Sequence, residues 1–373
     1  MKALFWLCAL LIAFAYAGYP VWLYFRARFW PRPVRRANIF PMVTILLAAR
    51  NEEENLVRKL QNIDRLDYPV NQFEVLVVSD GSTDGTNRIL AAWESAGHRA
   101  VILPEHRGKA SALNSGLAEA RGEIVVFTDA RQILAPDSLK NLVANFADPS
   151  VGCVSGELVL GEDSNAASLK GIGLYWRLEK KMRQWEALAG SSVGVTGAFY
   201  AARRSLIANL PAETVLDDVY IPLQVIRQNF RVVFETRAIV HDDLAPSVKQ
   251  EFRRKVRTLT GNYQLLRLAP WVLTNSNPLR FEFICHKVLR LLVPFALVGL
   301  LVSALWLRRE IYELVLILQV FFYALAGVGV FQPKAGIMAR LSQMSLAFVV
   351  LNGAAAVAFL YFITGRKAQW TRT

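Results

Sequence analysis

The sequence predicts an α/β domain built on a parallel sheet and set between membrane-spanning helices. Three observations carry this. One apolar run of spanning length opens the chain, three more close it, and between them short β-branched runs alternate with helical patterns. The 373 residues are 54% hydrophobic, with a mean hydropathy of +0.28, yet the net charge is +13. A soluble domain is rarely so apolar and a membrane bundle rarely so charged; here the two properties occupy different stretches.

Leu4–Phe25 is almost uninterruptedly apolar, close to the roughly 20 residues that cross the hydrocarbon core. A basic, aromatic flank follows it (Arg26, Arg28, Phe29, Trp30, Arg32, Arg35, Arg36). This is a stop-transfer pattern, which favours a span over a cleaved signal peptide and places Arg26 onward in the cytoplasm. Val288–Leu307, Tyr312–Phe331 and Met344–Ile363 are the other expected spans. The joint with Lys334 and Arg340 then falls inside. Arg366, Lys367 and Arg372 fall outside, against the positive-inside tendency.

Between the spans, Val43–Ala49, Phe73–Ser79, Arg99–Leu103, Ile124–Thr128 and Val151–Val154 read as strands. Glu53–Ile63, Thr86–Ser95, Lys109–Ala120 and Pro136–Phe146 read as helices. Near-continuous apolar strands separated by helices imply a parallel sheet covered on both faces. Ligands of such sheets bind at the carboxyl ends of the strands. There the sequence places Ala49-Arg50-Asn51-Glu52, Asp80-Gly81-Ser82-Thr83-Asp84-Gly85-Thr86 and Asp129-Ala130-Arg131. One such segment alone would serve equally as a turn and helix cap; three acidic strand ends in one sheet point to a site. Cys8, Cys153 and Cys285 and the four His residues show no zinc or disulfide spacing, as in a reducing compartment.

The segments VTILLAARNEEENL, EVLVVSDGSTDGT, RGKASALNSGLAEARGEIVVFTDA, VTGAFYAARRSL and VLDDVYIPLQVI occur in an order and spacing that resemble family 2 glycosyltransferases. With its flanking spans the chain is similar to the membrane-integrated branch that makes cellulose, hyaluronan and poly-N-acetylglucosamine, and to related exopolysaccharide or lipid glycosyltransferases. The resemblance implies a GT-A (Rossmann-like) catalytic domain with one N-terminal and three C-terminal transmembrane helices plus amphipathic interface helices. It implies an enzyme that moves a sugar, expected to be a hexose from UDP, from a nucleotide-diphosphate sugar to a polysaccharide or lipid acceptor.

The resemblance also implies roles. Ala49, Arg50, Asn51, Glu52 and Asp80 would hold the nucleoside, and Lys109 the diphosphate as a point charge. Asp129 matches the first aspartate of the D-x-D motif, which binds Mg2+ or Mn2+ on the donor phosphates. Position 131 is Arg instead of the second aspartate. Arg131 is expected on the diphosphate, taking over part of the metal's charge, and metal dependence stays open. His241 is a candidate further ligand, against the structural role that a lone histidine usually has. Asp218 matches the general base of an inverting transfer, although an Asp217-Asp218 pair before a helix also suits its dipole. Gly197, Ala198, Asp217, Arg254 and Arg257 would line the acceptor side. The Q-x-x-R-W motif of processive synthases is reduced to its arginine, with Arg254 and Thr258 replacing Gln and Trp.

Leu174, Leu178, Met182 and Trp185, and then Phe252, Val256, Leu259, Tyr263 and Leu266, recur at helical spacing beside basic residues. Both segments read as amphipathic helices on anionic membrane lipids, which leaves no need for a nucleic-acid partner. The expected organisation is residues 1–36 as span and flank, 37–245 as catalytic domain, 246–285 as interface helix and linker, and 286–373 as three spans, in the cytoplasmic membrane. Export-complex subunits are conceivable partners. A non-enzymatic nucleotide-sensing or scaffold subunit is the alternative reading, suggested by Arg131 and Thr258.

Overall fold

The computed structural model describes residues 1–160, 170–242, 248–331 and 336–366. Lys334, Lys367, Arg372 and the 245/246 boundary lie outside the described residues, as does the side chain of Leu174. In chain order the elements that matter are α1 (Lys2–Phe29), β1 (Val43–Ala49), α2 (Glu53–Ile63), β2 (Phe73–Asp80), α3 (Thr86–Ser95), β3 (Arg99–Leu103), α4 (Lys109–Glu119), β4 (Ile124–Thr128), β5 (Ile133–Leu134), α5 (Ser138–Val143) and β6 (Val151–Leu160). After them come α6 (Lys170–Ala189), β7 (Phe199–Arg203), α7 (Asp217–Arg227), β8 (Arg231–Asp242), α8 (Val248–Leu268), α9 (Arg280–Leu307), α10 (Glu310–Val330) and α11 (Ile337–Ile363).

The strands form one sheet in the order β3-β2-β1-β4-β7-β6-β8-β5. The first four are parallel, as expected. The sheet as a whole is mixed, because β7 runs antiparallel to both β4 and β6, and β5 antiparallel to β8. The expectation of an all-parallel sheet is corrected at β5 and β7; neither these two nor β8, which pairs parallel with β6, was read as a strand. Two of them are short, and the third, RVVFETRAIVHD, alternates with charge.

Burial explains the unbroken apolar runs. Alternate residues of each strand enter two cores: Leu46, Leu76 and Phe127 face α4 and α7, while Ile45, Leu47, Val77 and Val126 face α2 and α5. All seven are at most 2% exposed, and each such side chain contributes about 1.5–3 kcal/mol by leaving water. Glycines set the closest approaches. A Cβ on Gly122 would lie 2.4 Å from the Thr44 amide nitrogen, so β4 can begin beside β1 only because position 122 has no side chain.

Helices α1, α9, α10 and α11 are long and apolar enough to cross a membrane. The two amphipathic helices sit between them and the domain, and their apolar faces meet protein. Met182 of α6 packs with Tyr19, Leu23 and Cys285. Tyr263 of α8 packs with Leu291 and Ala358, while Leu265 two residues on belongs to the catalytic core. Basic residues beside apolar spans thus mark a joint between domain and spans in this chain.

That joint carries a buried ionic cluster. His286 of α9 sets Nδ1 2.6 Å from Glu186 and Nε2 3.1 Å from Glu179, both on α6. Arg290 also reaches Glu179, and the Tyr19 hydroxyl donates to Glu186 at 2.8 Å. Burial pushes both carboxyls up, but Arg290 and His286 hold Glu179 well below the usual carboxylate range, and His286 lowers Glu186. Removing one partner of such a cluster strands the others in a dry site. His286→Ala should therefore destabilise the protein by about 3 kcal/mol, read as a fall in thermal unfolding temperature in detergent; an unchanged temperature would show that the cluster does not hold the joint.

Candidate active site

The three strand-end segments meet at one edge of the sheet. The turn after β1 is laced to the turn after β2: the Thr83 amide donates to Asn51 Oδ1 at 2.8 Å, and the Glu52 amide to Thr86 Oγ1 at 2.9 Å. Asn51 itself takes φ 56°, a left-handed conformation that asparagine tolerates better than most residues. Ala49 is buried at the end of β1. Among the described residues, the buried Nε–H of Arg50 has no hydrogen-bond partner, an unmet donor at this end of the cleft.

Asp80 is fully buried and turned inward. Its carboxylate accepts from the amides of Arg107 at 2.7 Å and Gly108 at 2.9 Å, and lies 2.7 Å from His106 Nδ1. In this arrangement Asp80 orders the turn that opens α4. Gly81, at φ +60°, permits the contact, since a Cβ there would stand 2.3 Å from the His106 amide nitrogen.

The ordered turn delivers Lys109. Its ammonium lies 3.2 Å from Asp129, at the end of β4, and 3.3 Å from Asp217, at the start of α7. Burial would lower its pKa, but Asp129, Asp217 and Asp218 outweigh that and hold the ammonium above its ordinary range. Asp129 is the exposed member, its side chain 42% accessible. Asp217 is buried and accepts from the Tyr200 hydroxyl at 3.1 Å.

Asp218 is fixed by its own helix. Pro222, four residues on, has no N–H, so the Asp218 carbonyl loses its helical partner. The Val195 amide takes that place at 3.1 Å. The same loop brings Gly197 against the carboxylate, where a Cβ would lie 2.8 Å from Oδ2; the neighbouring Ala198 is buried. Burial and Asp217 raise the Asp218 pKa to about 6, against the lowering effect of Lys109, Lys287 and Arg183.

Arg131 does not hold an unpaired cation over the cleft. Its Nη2 donates to Asp242 at 2.7 Å, where Gln132 Nε2 also donates at 3.1 Å. Asp242, at the end of β8, was not read from the sequence; its other carboxylate oxygen is buried without a partner among the described residues. His241 is exposed on β8, paired in register with Ile133. Among the described residues no three His, Cys, Asp or Glu side chains gather as a metal site. The donor set therefore fits a hard cation only as a shared site, with Asp129 as a protein ligand and phosphate oxygens completing the shell.

Three further residues support the edge. Lys59 of α2 is fully buried and donates to Thr128 Oγ1 at 2.9 Å and to the Gln132 carbonyl at 2.8 Å, bracing the loop that carries Asp129. Burial lowers its pKa to about 7. Its place on the apolar stripe Leu56-Lys59-Leu60-Ile63 was the available signal. Tyr200 and Pro222 were missed as well, the latter readable from its spacing to Asp218. On α8, Arg254 and Lys255 lie over the Trp176 ring of α6, at 5.6 and 4.7 Å, and Arg257 is half-buried.

A GT-A-like mixed sheet with acidic strand ends and a lysine between them defines a nucleotide-sugar transferase class of fold. Residues 44–210, which carry every site residue up to Ala198, match Glycosyl transferase family 2. It is 26% identical over 280 residues to the beta-monoglucosyldiacylglycerol synthase of Synechocystis sp., covering 72% of this chain and 58% of that protein. It is 26% identical over 229 residues to the poly-beta-1,6-N-acetyl-D-glucosamine synthase of Staphylococcus aureus, covering 60% of this chain and 55% of that one. The chain thus spans little more than half the length of these relatives. A mannosyltransferase from Pyrobaculum calidifontis, solved with GDP-Man and Mn2+, superposes with a TM-score of 0.72 at 25% identity, over 97% of this chain and 99% of that one.

The tight contact at Gly197 gives a direct test. Gly197→Ala should displace the Asp218 carboxylate by a few tenths of an ångström and lower turnover roughly tenfold or more, with nucleotide affinity retained. Unchanged turnover in a folded variant would show that this contact does not set the position of Asp218.

Proposed function

We propose that the protein is an inverting hexosyltransferase that passes a sugar from a nucleotide diphosphate to a lipid or polysaccharide acceptor at the cytoplasmic face of the inner membrane. The observation that carries this reading is Lys109, one ammonium 3.2 Å from Asp129 on the donor side and 3.3 Å from Asp217 on the acceptor side. The cytoplasmic placement rests on the arginines that follow α1.

In this reading Ala49, Arg50, Asn51 and Glu52 cradle the nucleoside, and Arg50 Nε has a donor to give it. Asp80 acts through the Arg107–Gly108 turn, which aims Lys109 at the diphosphate. Asp129 would hold Mg2+ or Mn2+, and such a cation stabilises the charge that grows on the leaving nucleoside diphosphate. Arg131 stays on Asp242 and shapes the field beside the phosphates. Asp218 takes the proton of the acceptor hydroxyl as its oxygen attacks the anomeric carbon; the bond from that carbon to the diphosphate breaks on the opposite face. Gly197, Ala198 and Asp217 frame the base, with Arg254 and Arg257 of α8 further along the acceptor path.

Two features favour a lipid acceptor. Thr258 replaces the tryptophan of the processive synthases, and similarity to a diacylglycerol glycosyltransferase covers 72% of the chain. UDP-hexose is the donor proposed, and GDP-mannose is the competing donor because the Pyrobaculum calidifontis neighbour holds it.

The experiment is nucleoside diphosphate release from UDP-glucose, UDP-N-acetylglucosamine and GDP-mannose by the purified full chain. Below a pH of about 6 the Asp218 carboxyl keeps its proton and cannot accept another, so turnover should fall on the acid side of that value. Asp218→Asn should cost on the order of a hundredfold in turnover and erase the acid limb, with donor affinity within a few fold. Near-normal turnover in the Asn variant would remove Asp218 from the mechanism, and no release from any donor would reject the enzymatic reading.

A further inference from the structure

A second cleft, of about 660 Å3, opens where α1, the turn after α6, the end of α7 and the start of α9 come together. Asp218 lies eight residues before Ile226, which lines this cleft, so helix α7 alone separates the two by about 12 Å. The cleft is thus distinct from the catalytic edge.

Its walls combine three guanidinium groups, Arg26, Arg32 and Arg231, with the rings of Trp22, Phe230 and Phe281. The cations are incompletely neutralised. Arg231 donates to the carbonyls of Gly190 at 2.7 Å and Arg32 at 2.6 Å, and the charge that offsets it most, Asp148, stands outside the cleft wall. Arg32 makes no side-chain hydrogen bond or ion pair among the described residues. Arg26 lies over the Trp22 ring at 5.3 Å and meets Glu282 only at 3.6 Å. The other carboxylate in the wall, Glu186, is already occupied by Tyr19, Ser192 and His286. Within the wall, one loosely held carboxylate, Glu282, therefore faces three arginines.

The location supplies the second half of the argument. The cleft lies at the end of α1 where Phe25, Phe29 and Trp30 are 49%, 61% and 71% exposed, the aromatic belt that marks headgroup depth. Guanidinium forks match phosphate oxygens, and rings beside them suit the first carbons of acyl chains. We propose that this cleft binds a phosphate group, borne by an anionic membrane lipid or present as a free phosphate ion. The site ties the catalytic domain to the first span through its ligand, independently of donor and acceptor.

The test uses the full chain in a neutral detergent, with native mass spectrometry counting bound phosphatidylglycerol or phosphatidylcholine, with and without millimolar inorganic phosphate. Wild type is expected to retain one phosphatidylglycerol in preference to phosphatidylcholine. Arg32→Gln should weaken that binding roughly fivefold, and Arg32→Glu should remove the preference; the position is exposed, so neither change threatens folding. Arg26→Gln serves as an independent variant. Bound inorganic phosphate, lost in Arg32→Glu and without preference between the lipids, would assign the same site to the free ion. Equal retention of both lipids with no phosphate bound, or undiminished binding in Arg32→Glu, would overturn the proposal.

Discussion

The Lys109 ammonium is the charge around which the catalytic edge is arranged. Asp129, Asp217 and Asp218 crowd one end of the sheet, and three carboxylates so close would repel one another without a cation among them. Lys109 is placed by a chain of local causes: β2 ends in buried Asp80, Asp80 gathers the amides of Arg107 and Gly108, and the helix that follows starts with the lysine. In the proposed reading, a nucleotide-sugar diphosphate at this edge would meet a positive charge already oriented by two carboxylates, which would leave little reorganisation for the moment of reaction.

The second constraint is the joint with the membrane helices. Glu186 accepts from Tyr19 of the first span, faces His286 of the second, and accepts from Ser192 at 3.1 Å. Ser192 opens the loop whose Val195 amide holds the Asp218 carbonyl. Membrane helices, amphipathic helix and proposed base are therefore linked by consecutive hydrogen bonds. The packing of the membrane-length helices and the position of Asp218 are aspects of one packed structure.

The half of the sheet that reads as β-strand, helix, β-strand was legible because both faces are buried, which makes β1, β2 and β4 continuous apolar runs with unambiguous ends. Asp80, Lys109, Asp129 and Asp218 could be singled out because each follows or opens such an element. What escaped was set by tertiary pairing. β7 is buried but only five residues long, and β8 alternates with charge. Asp242 acquires its meaning only beside Arg131, 111 positions earlier. The inward turn of Asp80 depends on a loop 26–28 residues away. Lys59 and Pro222 carried local signals, a lysine on an apolar stripe and a proline four residues after an aspartate, that become informative once their partners are known. The amphipathic helices were legible as such, while their burial against protein followed from side-chain contacts that periodicity does not encode.

If Lys109 is the organising charge, its removal must be felt at Asp218 as well as by the nucleotide. Lys109 lowers the Asp218 pKa, so Lys109→Gln should move the acid limb of the turnover profile upward from about 6 while also weakening nucleotide binding. The decisive measurement is the pH dependence of turnover at saturating donor in wild type and Lys109→Gln. An upward shift is the result expected; an acid limb that stays in place would contradict the account, since Lys109 would then act on the donor alone.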